Sequence, residues 1–235
     1  MTKYRSGLRS TVAGIAGAGL CLLLAGTAAA MTPGADPAIN HPFRGPDYRS
    51  WLGILERPGR ELYDRREDVV RTLNLRTGMR IADIGAGTGL YTRLFAREVG
   101  GEGRVYAVDV AESFVGSILR EARAQGLQNV VGVVNSQTTT GLPDDSVDLV
   151  FLADTYHHFE RPMDMLASIY RALRPGGELA IIDFHRDPAS SSPWVMQHTR
   201  AGRDEVRQEV ELAGFRYAGE ETFLRGNFFL RFRKP

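Results

Sequence analysis

Cysteine is nearly missing from this 235-residue chain: Cys21 is the only one, and it lies in an apolar N-terminal run. No disulfide framework and no thiol chemistry are expected in the rest of the chain. An excess of one charge is missing too. Lysine and arginine together number 29 against 28 acidic residues, a formal net charge of +1, and no block of like charges occurs. Proteins that track phosphates carry a basic stripe, so nucleic acid is not an expected partner. Lysine itself is rare, at Lys3 and Lys234 alone. Arg231, Arg233 and Lys234 cluster near the end of the chain, where three cations read as a solvated edge. Internal repeats are absent. With 43% hydrophobic residues, the length suits one domain with a sizeable core.

The first 30 residues stand apart. Lys3, Arg5 and Arg9 form a basic start, and no charge then appears until Asp36. Val12 to Ala25 is apolar, and Ala28-Ala29-Ala30 offers small residues for a signal peptidase. This pattern predicts a secretory signal peptide over 1–30, cleaved after Ala30, and export to the periplasm or beyond the cell. Leu20 is too bulky for the position before a lipidated cysteine. Two alternatives stay open. Thr11 to Ala30 is about as long as the ~20 residues that span a bilayer, so an uncleaved anchor would tether the chain to the membrane; or the chain starts at Met31. Thr32 to Pro46 carries four prolines and little periodicity, which reads as a linker. Residues 31–60 as a whole read as linker and N-terminal lid, with Tyr48 to Leu55 as a short helix.

From Met79 onward the pattern becomes regular. An apolar strand to Ile84 runs into Gly85-Ala86-Gly87-Thr88-Gly89, and a helical pattern with Leu90, Leu94 and Phe95 on one face follows. Strand, glycine turn and helix begin a βαβ unit. Arg104 to Val110 reads as the second strand and carries Asp109, 20 residues after Gly89, about where a nucleotide-binding unit places an acid for ribose hydroxyls. Further strands are predicted over Val130–Val134, Val147–Ala153, Glu178–Phe184, Phe215–Gly219 and Asn227–Phe232. Helices are predicted over Glu61–Leu73, from a Ser113 cap, over Pro162–Leu173 and over Arg203–Ala213. Apolar runs such as Leu149 to Leu152 suit strands covered on both faces.

A dinucleotide fingerprint spaces its glycines G-x-G-x-x-G, whereas here the spacing is G-x-G-x-G with Asp83 two residues ahead. Asp83 to Gly89 resembles motif I of the class I S-adenosylmethionine (SAM)-dependent methyltransferases. Leu173-Arg174-Pro175-Gly176-Gly177 before an apolar strand is a second resemblance to that family, and together they cover about Glu61 to Arg233. The resemblance implies a Rossmann-like three-layer α/β sandwich over 61–235, with a mostly parallel seven-stranded sheet and a C-terminal antiparallel strand. It implies SAM as cofactor, with Gly85, Ala86, Gly87 and Gly89 at the turn, Asp83 near the methionine end, and Asp109 on the ribose with Val110 beside it. Many family members have an Asp after the third strand for the adenine amino group. This chain has Asn135-Ser136-Gln137, so Ser136 and Gln137 are the candidates, Gln137 through its amide oxygen. Asp154 completes the candidate cofactor set. Export is in tension with this cofactor, which is made in the cytosol.

Ligands of open α/β sheets bind off the carboxyl ends of the strands. Asp154-Thr155-Tyr156-His157-His158-Phe159 follows the fourth strand and is thereby placed over the cofactor. His158 matches a histidine found there in several small-molecule methyltransferases and is expected to take the acceptor's proton; His157 and Tyr156 are the further catalytic candidates. A packed imidazole bonded to backbone is the competing use of either histidine. No metal centre is expected, because adjacent residues in a helix or strand point apart, although His185 and Asp183 could approach from the neighbouring strand. The expected acceptor is a small molecule, enclosed by Trp51, Tyr63, Tyr156 and Trp194, with Arg57 or Arg60 available for an anion. Two other functions fit the same residues. One is an exported SAM-fold protein that binds without catalysis. The other is aminopropyl transfer, which needs acids near the nucleophile and finds only Asp154.

Overall fold

β-Branched and aromatic runs between glycine turns become strands because their side chains pack on a pleated surface. The computed structural model describes residues 1–2 and 32–235, and residues 32–235 lie in one compact unit. The predicted leader falls on residues 3–31, outside the described residues. The chain then runs through a 3-10 helix, Pro37–Phe43, and helices α1 (Tyr48–Leu55), α2 (Glu61–Asp64) and α3 (Arg66–Thr72). Next come β1 (Arg80–Ile84), α4 (Leu90–Val99), β2 (Arg104–Asp109), α5 (Glu112–Ala124), β3 (Val130–Val134) and β4 (Val147–Ala153). A 3-10 turn at Tyr156–His158 leads to α6 (Pro162–Ala172) and β5 (Leu173–Phe184). Helices α7 (Pro193–His198) and α8 (Arg203–Leu212) and strands β6 (Arg216–Glu221) and β7 (Asn227–Arg233) complete it.

The seven strands lie in the order β3-β2-β1-β4-β5-β7-β6. β1 pairs in parallel with β2 and β4, and β5 in parallel with β4. β7 runs antiparallel to both neighbours, so it alone opposes the direction of the sheet. The order reverses between β1 and β4, which opens a crevice at their carboxyl ends. Helices cover both faces. On one, Val150 and Leu152 of β4 and Leu179 and Ile181 of β5 pack with Leu166, Ile169, Val206 and Val210. On the other, Leu149, Phe151, Ala180 and Ile182 pack with Val69, Tyr91, Phe95 and Val99. The strict alternation along β4 and β5 is the period-2 rule applied to a sheet buried twice.

Several elements differ from the sequence reading. The helix expected over Glu61–Leu73 is two pieces meeting at Arg65. Ser113 does not cap α5; Ala111 holds that position, and the Ser113 hydroxyl donates to the Pro46 carbonyl. β5 begins at Leu173, because Leu173 already pairs with Val147, and the register then jumps so that Leu149 faces Glu178. The Thr32–Pro46 segment is no free linker. Asp36 caps its 3-10 helix, Ala35 N–H donates to the Phe159 carbonyl, and Asn40 is buried.

Tyr156 is the one catalytic candidate that the fold removes. It is fully buried, and its hydroxyl donates to Glu209 Oε2 at 2.6 Å beneath the Arg200 guanidinium. Arg200 donates to both Glu209 oxygens, at 2.9 and 2.6 Å. Tyr156 therefore anchors α8 to the loop after β4. Breaking a buried ion pair from one side strands the remaining charge, at about 3–5 kcal/mol. Glu209→Ala should lower the unfolding free energy by that amount, read by circular dichroism as a lower urea midpoint with an unchanged m-value.

Candidate active site

The glycine turn exists because β1 must hand over to α4 while its backbone passes against the loop after β4. Gly85, Gly87 and Gly89 all have positive φ, at 69°, 54° and 77°, a region that residues with a Cβ rarely occupy. At Gly85 a Cβ would lie 2.3 Å from the Thr155 side chain. Gly87 N–H donates to Asp109 Oδ2 at 2.9 Å, and Ala111 N–H donates to Oδ1 at 2.9 Å. Asp109 is thus locked at the end of β2 with lone pairs to spare. Burial pushes its carboxyl up, and the N–H groups of Ala111 and Gly87 oppose that shift.

Asp83, at 3% exposure, accepts a hydrogen bond from the Thr92 hydroxyl at 2.5 Å. Burial, with the charge of Asp109 adding to it, raises its carboxyl from 3.8 to about 7. No cationic side chain pairs with it among the described residues.

Asp83, Gly85, Ala86, Gly87, Asp109, Val110, Ser136, Gln137 and Asp154 line one cavity of about 560 Å³. Gly89 does not line it. It starts α4, and a Cβ there would lie 2.8 Å from Ile118. Asp154 lies at the rim but is already engaged: Arg60 donates to one of its oxygens at 2.7 Å and Asn227 to the other at 2.6 Å. Gln137 Oε1 accepts from Glu160 N–H at 3.2 Å.

The far end of the same cavity is aromatic. Phe43 lies 4.8 Å from Trp51, and Trp51 meets Phe114 edge-on at 6.2 Å. Trp194 and Phe184 close another side, with ring centres 5.7 Å apart. Arg57 and Arg60 both line the cavity, but Arg60 is held by Asp154 and the Leu55 carbonyl. Tyr63 is not a wall; it sits under Arg66.

His157 and His158 face this end. His157 Nδ1 lies 2.7 Å from Asp183 Oδ1, and both are 2% exposed. Burial works against the charged form of His157, but Asp183 outweighs it and raises the imidazole. His158 Nδ1 lies 2.8 Å from Asn40 Oδ1. Burial and then the charges of His157 and His198 drive His158 down to about 3, so it is a weak proton acceptor. Asn40 and His198 escaped the sequence reading. Asn40 sits in a segment with no periodic signal, and His198 lies four residues beyond Trp194, where no motif marks it.

A floor of positive-φ glycines, two buried acids and an aromatic end form a site for a nucleoside carrying a charged tail. The methyltransferase-domain family matches residues 82–181. A solved SAM-dependent methyltransferase from Aquifex aeolicus is 30% identical, with a TM-score of 0.71, over 80% of this chain and 99% of its own. The chain belongs to the class I SAM-dependent methyltransferase family, whose cofactor is SAM. The demethylmenaquinone methyltransferase of Geobacillus stearothermophilus is 31% identical over 112 residues, 48% of each chain. A ubiquinone/menaquinone biosynthesis C-methyltransferase of Hydrogenovibrio crunogenus is 30% identical over 122 residues, 52% of this chain and 48% of its own. The chain thus spans about half the length of the curated relatives it matches.

The residues present fit SAM. Gly85 and Gly87 line the cavity with bare backbone, Asp109 can accept from two ribose hydroxyls, and Asp83, without a cationic partner, suits a cationic amino-acid end. Without that cation, Asp83 is a liability. Its folded pKa lies above the unfolded value, so the native state keeps a proton that the unfolded chain releases between about pH 4 and pH 7, and stability falls as pH rises through that window. By pH 8 the ionised carboxylate costs on the order of 4 kcal/mol. Asp83→Asn should therefore raise the melting temperature of the ligand-free protein, at about 2–4 °C per kcal/mol. The gain should be larger at pH 8 than at pH 5, and equal gains at both would show that the carboxyl is not raised.

Proposed function

We propose that the chain transfers a methyl group from SAM to a small aromatic acceptor, a hydroquinone-like ring being the preferred class. The observation that carries this reading is a single cavity in which the glycine turn and Asp109 form one end and the aromatic and imidazole side chains the other. When bound, SAM supplies an electrophilic methyl on a sulfonium whose leaving group is a neutral thioether. The chain's task is then mainly alignment. Asp109 and the glycine turn hold the cofactor end, with Val110, Ser136 and Gln137 on the rim. Trp51, Phe43 and Trp194 exclude water and stack the acceptor ring. His157 and His158 face the acceptor's polar group, with His157 oriented there by Asp183. The aromatic walls agree with relatives named for quinone substrates. Near-neutral net charge also favours a small acceptor over nucleic acid.

The test is direct. Full-length protein titrated with SAM in a calorimeter should show one-to-one binding, and Asp109→Ala should weaken it by about 1–3 kcal/mol. A panel of hydroquinones, phenols, amines and thiols, assayed for demethylated cofactor, should turn over best with the hydroquinones. Tight SAM binding with no turnover across the panel would favour a non-catalytic binding protein.

Export is part of the same proposal, supported by the basic start, the apolar run and Ala28-Ala29-Ala30. Mass spectrometry of the protein from its native host should find a new N-terminus at Met31 after processing at Ala30. An intact Met1 in a membrane fraction would mean an anchor, and a cytosolic species beginning at Met31 would mean an internal start.

A further inference from the structure

We propose that His157, His158 and His198 form a three-imidazole site for one divalent transition-metal ion of the zinc class, open toward the acceptor end of the cavity. One ring nitrogen from each lies within 4.8 Å of the others. The ring centres are 4.1 Å apart for His157 and His158, and 5.0 and 5.2 Å from His198. Adjacent histidines on a strand or an α-helix would diverge. Here they sit on the tight 3-10 turn at Tyr156–His158, which lets both rings face one point.

The hydrogen bonds fix which nitrogens are free. Asp183 already accepts from His157 N–H and Phe184 N–H, so toward His157 Nδ1 its carboxylate acts as acceptor and the ring donates. Asn40 donates through Nδ2 to the His158 carbonyl and to Glu160 Oε1, which orients its Oδ1 as acceptor from His158 Nδ1. In the neutral form both rings therefore keep the proton on Nδ1, which leaves Nε2 as the nitrogen free to ligate. A carboxylate or amide oxygen behind the far nitrogen of each ring is how metal-ligating histidines are held. Packing alone would not require two separate elements, β5 and the N-terminal 3-10 helix, to fix both tautomers the same way. His198 comes from a third element, the end of α7, where Trp194 stacks on its ring at 4.4 Å and fixes its plane.

Imidazole donors suit zinc, copper, nickel and cobalt rather than magnesium or calcium. Three protein ligands with a fourth position open is the form of a reactive rather than a structural zinc site. All three histidines line the cavity, so the open position faces the acceptor. An oxygen or sulfur atom of the acceptor would occupy it. That last step rests on the proposed function, whereas metal binding does not.

The experiment uses full-length protein stripped with EDTA and dialysed. Titration with zinc chloride alone should give saturable one-to-one binding by calorimetry. Cobalt(II) should give the visible absorption of a four- or five-coordinate nitrogen site. His198→Ala and Asn40→Ala should each weaken zinc binding about 10–100-fold, while His185→Ala, outside the cluster, leaves it unchanged. His198 is only partly buried, so its removal spares the fold even if His157→Ala does not. Binding of SAM by the same preparations separates the two readings: zinc bound without SAM affinity sinks the proposed function, and SAM bound without zinc affinity sinks the metal site. Absence of stoichiometric zinc at micromolar concentration, or zinc affinity indifferent to both His198→Ala and Asn40→Ala, overturns the proposal.

Discussion

The hydrogen bond from Gly87 N–H to Asp109 ties the carboxyl end of β1 to that of β2, and the site is built outward from it. It holds only because three residues of the turn adopt backbone angles that side chains resist, and because the acid is locked a second time by Ala111 N–H. The parallel sheet supplies the rest of the constraint. Its order reverses between β1 and β4, so the loops after these strands must part, and the cavity is the space between them. Core packing on both faces keeps that gap rigid, because β1, β4 and β5 bury side chains on both faces of the sheet.

The cavity owes its other walls to the segment before the first strand, which polar and charged contacts fasten down. Arg93 reaches from α4 to both oxygens of Glu56, Arg60 pairs with Asp154, and Asn40 pairs with His158. The Arg93–Glu56 and Arg60–Asp154 pairs are largely shielded from water, so losing one partner leaves a charge poorly solvated. The Arg60 and Asn40 contacts join the N-terminal segment to the loop after β4. Glu209 does comparable work on the far side, where Arg200 and Tyr156 converge on it.

Much of this was legible in the chain itself. The glycine spacing, Asp83, Asp109 and the alternating apolar runs depend on contacts within a few dozen residues, and local periodicity and turn chemistry report such contacts faithfully. The family resemblance over Asp83–Gly89 and Leu173–Gly177 rests on the same kind of signal. What failed was also local in origin. The prolines of Thr32–Pro46 read as a linker because a 3-10 helix that buries a single Asn leaves no periodic trace. Tyr156 looked catalytic from its neighbours, and only the position of α8 shows where its hydroxyl goes.

The strand–turn–helix alternation, the left-handed glycine turn and the acid at the end of β2 were determined by the sequence alone, because positive-φ turns need residues without Cβ atoms and apolar periodicity marks the strands and helices between them. The acceptor end was decided by tertiary structure. Asn40, His158, His198 and Asp183 come from four separate elements, and their meeting depends on how the N-terminal segment and α7 pack over the strand ends. No spacing in the chain encodes a contact across 118 residues. Hydrogen bonds of that range form only after the core has fixed both backbones, so the imidazole geometry is a property of the folded molecule.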